Sequence, residues 1–232
     1  MNQPVINEAA VADAAAEREI VAFDLEGTLS AGVAWEGMRD YLVAHGEGDK
    51  FRRFLRRNIL NVLAFRVGIL RDERAFKERW ILDVMRLFAG YPEARFAEVG
   101  AWVADKTFWP HRRVAVVEEL VAHQANGRRI LIVSGMFEPI LQQFAAKLQV
   151  ESIGTPIEVV NGRLTGEIIG QLNVGPPKVA QLQQLPGKLV AAYGDTLRDI
   201  PMLELAETAV AVHPDAVLME TAVQRGWRIL EA

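Results

Sequence analysis

The sequence predicts an α/β protein: a doubly wound parallel sheet with a small helical domain inserted after the first strand. Three observations carry that expectation. Four short apolar runs, Glu19–Phe23, Arg129–Val133, Leu189–Tyr193 and Thr208–Val212, show little polar alternation, as expected of strands covered on both faces. Helical patterns lie between consecutive runs, which is the signature of parallel crossover units. Between residues 35 and 105 strand signals vanish altogether.

Residues 1–17 (MNQPVINEAAVADAAAE) carry acids, no Lys or Arg, and no long apolar stretch. They make a poor signal peptide and read as an N-terminal arm. The first strand is followed at once by Asp24, Leu25, Glu26, Gly27 and Thr28. In the strandless region, Phe51, Phe54, Leu55, Asn58, Ile59, Val62 and Leu63 recur at helical spacing, and Phe76, Trp80, Val84, Leu87 and Phe88 do the same. A helix is expected over 110–126, opened by Pro110 and stopped by Gly127. The second strand then ends at Ser134-Gly135. Residues 137–149 read as a helix, and 157–170 as two β-rich runs flanking Asn161-Gly162, a hairpin signal. Helices over 176–185 and 199–207, the latter with Pro201 in its first turn, flank the third strand, which ends at Gly194-Asp195. A fourth strand ends at His213-Pro214, and a weaker fifth covers Trp227–Leu230.

The chain has 232 residues, of which 50% are hydrophobic and 24% charged, an ordinary globular balance with enough length for a sizeable core. The net charge of −4 gives no support for wholesale nucleic-acid binding. There is no cysteine, which excludes disulfides and thiolate metal sites and is compatible with a reducing compartment. No apolar stretch reaches the roughly 18 residues that a membrane-spanning helix needs. The expectation is a soluble, cytoplasmic protein with no membrane span and no nucleic-acid partner. His45, His111, His123 and His213 are scattered without zinc-ligand spacing.

Ligands of a parallel sheet bind beyond the carboxyl ends of its strands. Here those ends carry Asp24 with Glu26, then Ser134, then Asp195 with Asp199, and Lys178 opens a helix just after Gly175-Pro176-Pro177. Two acids, a hydroxyl, an amine and two further acids are the parts that phosphoryl transfer requires. They serve as nucleophile, acid/base, oxygen ligands for magnesium, and donors to phosphate oxygens. Each also has a plain structural use. Asp24 and Asp199 suit helix caps, Ser134 suits a turn, and most lysines are solvated.

Taken together and in order, Asp24-Leu25-Glu26-Gly27-Thr28-Leu29, Val133-Ser134-Gly135, Lys178 and Gly194-Asp195-Thr196-Leu197-Arg198-Asp199 resemble the four motifs of the haloacid dehalogenase superfamily. Asn161-Gly162-Arg163-Leu164-Thr165-Gly166-Glu167 and the tail from Asp199 to Leu230 resemble its phosphoserine-phosphatase-like branch. The resemblance implies a Rossmann-like core domain (18–34 and 106–232) and a helical cap domain (35–105). It implies a Mg²⁺-dependent phosphatase acting on a small phosphorylated metabolite. Asp24 is the implied nucleophile and Glu26 the acid/base. Thr28, Ser134, Gly135 and Lys178 would hold phosphate. Asp24, the Glu26 carbonyl, Asp195 and Asp199 would hold Mg²⁺, Asp199 directly or through water.

The superfamily usually has Asp where this chain has Glu26, which leaves three outcomes open: hydrolysis, transfer to an alcohol acceptor, and phospholigand binding without turnover. Met136 stands where the branch has a second glycine. Its substrate-reading acid and arginine have no clear counterpart, and Glu36, Arg74 and Arg79 are the nearest candidates. Residues 50–79 hold ten basic residues against Asp72, Glu73 and Glu78. Three readings apply: a solvated helix face, a positive lid for an anionic substrate, and a surface that touches anionic membrane.

Overall fold

The structure is a computed structural model in which residues 19–66 and 73–231 are described. The expected arm over 1–17 lies outside them. The elements are β1 (Glu19–Phe23), α1 (Ala34–Ala44), α2 (Gly48–Arg66), α3 (Glu73–Met85), α4 (Glu93–Val103), α5 (Val114–Ala125), β2 (Arg129–Phe137), α6 (Glu138–Leu148), β3 (Glu151–Thr155), β4 (Ile157–Val160), β5 (Arg163–Ile168), α7 (Pro176–Gln183), β6 (Lys188–Gly194), α8 (Ile200–Leu205), β7 (Thr208–Val212), α9 (Ala216–Arg225) and β8 (Arg228–Leu230). A 3₁₀ turn (Arg86–Phe88) follows α3, and a π-helical turn (Ala104–Phe108) follows α4.

Six strands form one parallel sheet in the order β3-β2-β1-β6-β7-β8. Alternate residues of the central strands feed two apolar layers, because successive side chains of a strand point to opposite faces. Val21, Phe23, Ile130, Ile132, Tyr193, Val210 and Val212 face one layer, shared with Met38 of α1, Val99 of α4, Leu120 of α5 and Phe144 of α6. Ile20, Ala22, Leu131, Val133, Ala192 and Ala211 face the other, shared with Leu182 of α7, Met202 of α8 and Leu218 of α9. Full burial of each large side chain contributes about 1.5–3 kcal/mol, so both faces are held firmly and the strand ends are rigidly placed.

The doubly wound sheet is as expected, with three differences. The strand β3 was not anticipated; Glu151 and Ser152 are polar, and Gly154 is required because a Cβ there would lie 2.7 Å from the Met136 carbonyl oxygen. The second strand does not end at Ser134-Gly135 but runs on to Phe137, where it pairs with Thr155 after an irregular register. The helix expected from Pro110 begins instead at Val114, since the π turn and the following loop occupy the preceding residues.

The hairpin β4–β5 turns on Asn161 (φ 52°) and Gly162 (φ 70°), both in the left-handed region that a two-residue turn requires. It braces the helical segment. Gly90 N donates to Leu164 O (2.7 Å), Leu164 N donates to Tyr91 O (2.9 Å), and Arg86 pairs with Glu167 at 2.8 Å.

Candidate active site

The strand order reverses between β1 and β6, and the crevice at such a switch point is where an open α/β sheet binds ligands. Asp24 leaves the end of β1 still tied to the sheet, its N–H donating to Tyr193 O of β6 at 3.0 Å. The chain then folds back tightly, with Ser30 N bonding Leu25 O (2.9 Å) and Gly27 N bonding Ser30 O (2.7 Å). Arg113 steadies this turn by donating from Nε to Gly27 O at 2.8 Å.

Next to it, β6 ends at Gly194 and delivers Asp195. Asp199 reaches back over that loop. Its Oδ2 accepts from Asp195 N (3.3 Å), Thr196 N (3.2 Å) and the Thr196 hydroxyl (3.2 Å). Asp199 sits at the N-cap position of α8, yet its side chain makes no cap bond; the carboxyl is committed to the site.

The carboxyl groups of Asp24, Asp195 and Asp199 meet, with one oxygen from each lying within 4.8 Å of the others. Lys178, 2% exposed, inserts between two of them, its Nζ 2.5 Å from Asp24 Oδ1 and 2.7 Å from Asp199 Oδ1. Thr28 donates to Asp195 Oδ1 at 3.2 Å, so its hydroxyl orients a carboxylate.

One ammonium does not balance this much buried negative charge. Burial first, and then Asp199, push Asp24 up to about 6, against the pull of Lys178. Burial, Asp24 and Asp199 push Asp195 up to about 8. Burial works against the Lys178 ammonium, but Asp199 and Asp24 outweigh it and raise its pKa. Three convergent hard oxygen donors with excess negative charge suit a hard divalent cation, and a bound dication would reverse the carboxylate shifts.

Glu26, two residues beyond Asp24, is half-buried. Burial and the Asp24 charge raise it to about 7, opposed by a hydrogen bond from the Ala34 backbone and by Lys77. Glu36, exposed in the first turn of α1, adds to the repulsion. Arg79 is turned elsewhere, 78% exposed and 3.7 Å from Asp83. The side chain of Arg74 lies outside the described residues.

Ser134 is 3% exposed, its Oγ accepting from Met136 N at 3.4 Å. Gly135 allows close packing, since a Cβ there would lie 2.5 Å from Val174 Cγ1. Two buried residues that the motifs did not flag hold this turn. Asn173 donates to Ser134 O (3.2 Å) and Ile153 O (3.0 Å), while the Thr155 hydroxyl donates to Gly135 O (2.8 Å). Asp215 was missed as well; its N–H bonds Asp195 O (2.9 Å) and its Oδ2 accepts from Leu197 N (3.0 Å). Asn173, Thr155, Asp215 and Arg113 act through backbone atoms, which leave no motif. Lys77 was visible only as one of ten basic residues.

A family profile of the haloacid dehalogenase-like hydrolases matches residues 21–204. Over 134 residues the chain is 32% identical to a phosphoserine phosphatase of Mycobacterium tuberculosis, a match covering 55% of this chain and 42% of that protein. The chain therefore spans less than half the length of that relative. It is 26% identical over 235 residues to a histidinol-phosphatase of Neisseria meningitidis serogroup C, covering 92% of this chain and 98% of the other. Among solved structures, a protein of unknown function from Bordetella pertussis superposes with a TM-score of 0.76 at 24% identity, covering 93% of this chain and 99% of that one. The profile match of this chain runs from β1 into α8, across every strand end that builds the site; the chain belongs to the haloacid dehalogenase-like hydrolases.

Proposed function

We propose that this chain is a Mg²⁺-dependent phosphatase of small phosphomonoesters in which Asp24 is the nucleophile. The observation that carries the reading is the meeting of Asp24, Asp195 and Asp199 around Lys178 at the sheet's switch point. Asp24, Asp195, Asp199 and the Glu26 carbonyl are the groups that would hold Mg²⁺, which when bound neutralises phosphate charge.

An Asp24 carboxylate oxygen attacks phosphorus, and the ester oxygen departs with the proton of Glu26. The aspartyl-phosphate is then opened by water, whose proton returns to Glu26 as inorganic phosphate leaves. A carboxyl raised to about 7 is suited to both proton transfers. Lys178, Ser134 and the Gly135 backbone bind phosphate oxygens. Thr28 and Asp215 keep Asp195 in place, and Arg113 holds the turn behind Asp24. Residues 35–105 act as the cap, presenting Lys77 and Glu36 to the leaving group.

Phosphoserine and histidinol phosphate are both phosphate esters of amino alcohols. We take that class as the substrate, with Glu36 facing the ammonium and Lys77 an acid group or the phosphate. Glu26 favours a second reading, because its extra methylene shifts the acid/base relative to the usual aspartate: transfer of the phosphoryl group to an alcohol.

The test is release of p-nitrophenol from p-nitrophenyl phosphate with Mg²⁺, followed by a panel containing phosphoserine and histidinol phosphate. Turnover that Asp24→Asn removes supports the reading. No turnover of any ester, with tight Mg²⁺-dependent binding retained, sinks it. Nitrophenol release outrunning phosphate release in glycerol identifies transfer.

A further inference from the structure

We infer that the outer face of α2 docks on an anionic lipid bilayer. The chain as a whole carries a net charge of −4, yet α2 contains six basic residues (Lys50, Arg52, Arg53, Arg56, Arg57, Arg66) and one acid, Asp49. The helix is anchored on its inner side by Phe51 and Phe54, each 7% exposed. Its outer side is not simply a solvated polar face. Leu55, Ile59 and Leu63, spaced four apart along one row of the helix, are 36%, 43% and 49% exposed, and Leu60 beside them is 76% exposed. Arg52, which is paired with Asp49 at 2.5 Å, and Arg56 continue the row of Leu60. Aliphatic side chains interleaved with arginines on one helix face are the composition of an interfacial helix. The apolar groups enter the acyl boundary, and the long cationic stems lie along it with their heads at the phosphates.

A second observation lies on the adjoining flank. Between α2 and the end of α3 is an open cleft of about 450 Å³ lined by Lys50, Arg53, Arg57, Arg86 and Leu87, with Asp83 the one carboxylate among the described lining residues. Asp83 is paired with Arg86 at 2.6 Å, and Lys50 with Glu47 at 2.5 Å. The cleft retains an excess of positive charge, and its size and polarity suit a lipid phosphate headgroup. The cleft meets the apolar face along one edge, where Arg57 and Leu60 are neighbours at i,i+3 on the helix.

The other occupants fit less well. A second copy of this chain meeting α2 about a two-fold axis would bring arginine rows against arginine rows. A nucleic acid would use the arginines but not Ile59 and Leu60, since bases stack on aromatic rings rather than on aliphatic chains.

The experiment is co-sedimentation of the full chain with vesicles of phosphatidylcholine and phosphatidylglycerol in equal parts, against vesicles of phosphatidylcholine alone, at low and high salt. The proposal expects binding to the anionic vesicles, none to the neutral ones, and weakening by salt. The charge reversal Arg53→Glu with Arg57→Glu, and separately the swap Ile59→Ser with Leu60→Ser, should each weaken binding by about tenfold or more. These side chains are outside the catalytic machinery, so p-nitrophenyl phosphate hydrolysis and the thermal melt, which report folding, should stay as in the parent. Absence of binding to anionic vesicles overturns the proposal. So does equal binding to both lipids, or binding that the serine swap leaves intact. A concentration-dependent dimer or RNA retention that depends on these residues, without vesicle binding, assigns the face to that occupant instead. Because the readout is sedimentation, failure here leaves the phosphatase reading untouched, and absent turnover leaves this proposal untouched.

Discussion

A Cβ atom at Gly27 would stand 1.9 Å from Oδ2 of Asp195. The turn after Asp24 and the carboxyl group at the end of β6 are therefore packed so closely that only glycine fits. Gly27 also has φ +100°, a conformation strained for any L side chain.

Gly27→Ala should therefore act on geometry before stability. The added methyl group displaces either Asp195 or the backbone that follows Asp24, and a shift of about 1 Å in a reacting group costs roughly 100-fold in rate. We expect kcat/KM for p-nitrophenyl phosphate to fall by about that factor, with a loss of a few kcal/mol at most in a urea melt. Activity near the parent level would show that the turn and Asp195 are not held in register.

Lys178→Met should be among the most destabilising substitutions in the chain. It leaves Asp24 and Asp199 buried without their counter-charge, a loss of about 3–5 kcal/mol when one partner of a buried pair is removed. The deficit should be largest at neutral pH and shrink as acid protonates the carboxylates. Mg²⁺ should recover part of it, and chelation should remove that recovery; thermal melts with Mg²⁺ and with EDTA measure both. A melt insensitive to Mg²⁺ in parent and variant alike would argue against a cation among the three carboxylates.

What could be read from the chain beforehand follows a physical division. Buried parallel strands announce themselves as apolar runs, so β1, β6 and β7 were legible, and Asn161-Gly162 marked its hairpin. The strand β3 is a polar edge with a glycine imposed by a close approach to β2, which no local pattern encodes. The meeting of Asp24, Asp195, Asp199 and Lys178 was legible because each lies at a strand end or at the start of a helix that follows one. Asn173 and Thr155 were not, because each serves a backbone carbonyl that appears only once β2 and β3 lie side by side. Arg79 was a candidate and Lys77 only one of ten basic residues, yet it is Lys77 that acts on Glu26 while Arg79 lies beside Asp83.

Glu47 offers a pH test remote from the site. Burial alone would raise its carboxyl, but Lys50, Tyr91 and Arg95 all bond to it and hold it down at about 2 from an ordinary value of 4.5. A depressed carboxylate stabilises the fold above the unfolded-state value and loses that contribution as pH falls toward the folded one. Glu47→Gln should thus cost a constant amount, about 1 kcal/mol after solvent screening, above pH 4.5, and the difference should vanish between there and about 2. Urea melts across that range decide it; a difference that persists at the acid end would point to packing instead of charge.

Arg198 lies three residues beyond Asp195 and reaches Glu78 of α3 at 3.3 Å, with both side chains largely covered. This pair ties α3 to the loop that bears Asp195. The neighbouring Lys77 on the same helix holds down the pKa of Glu26. Glu78→Gln should scarcely change the melting temperature, since a partly exposed pair contributes about 0–1 kcal/mol. It should nevertheless let α3 stand further from the site. With Lys77 withdrawn, Glu26 loses a neighbour that favours its charged form, so its pKa rises. The pH profile of kcat, taken at saturating Mg²⁺, should then shift its Glu26-dependent limb to higher pH, and KM for an anionic ester should increase severalfold. Restoring the carboxyl with Glu78→Asp should return part of both. An unchanged profile and KM in Glu78→Gln would mean that α3 is positioned without this ion pair, which then has no part in presenting Lys77 to Glu26.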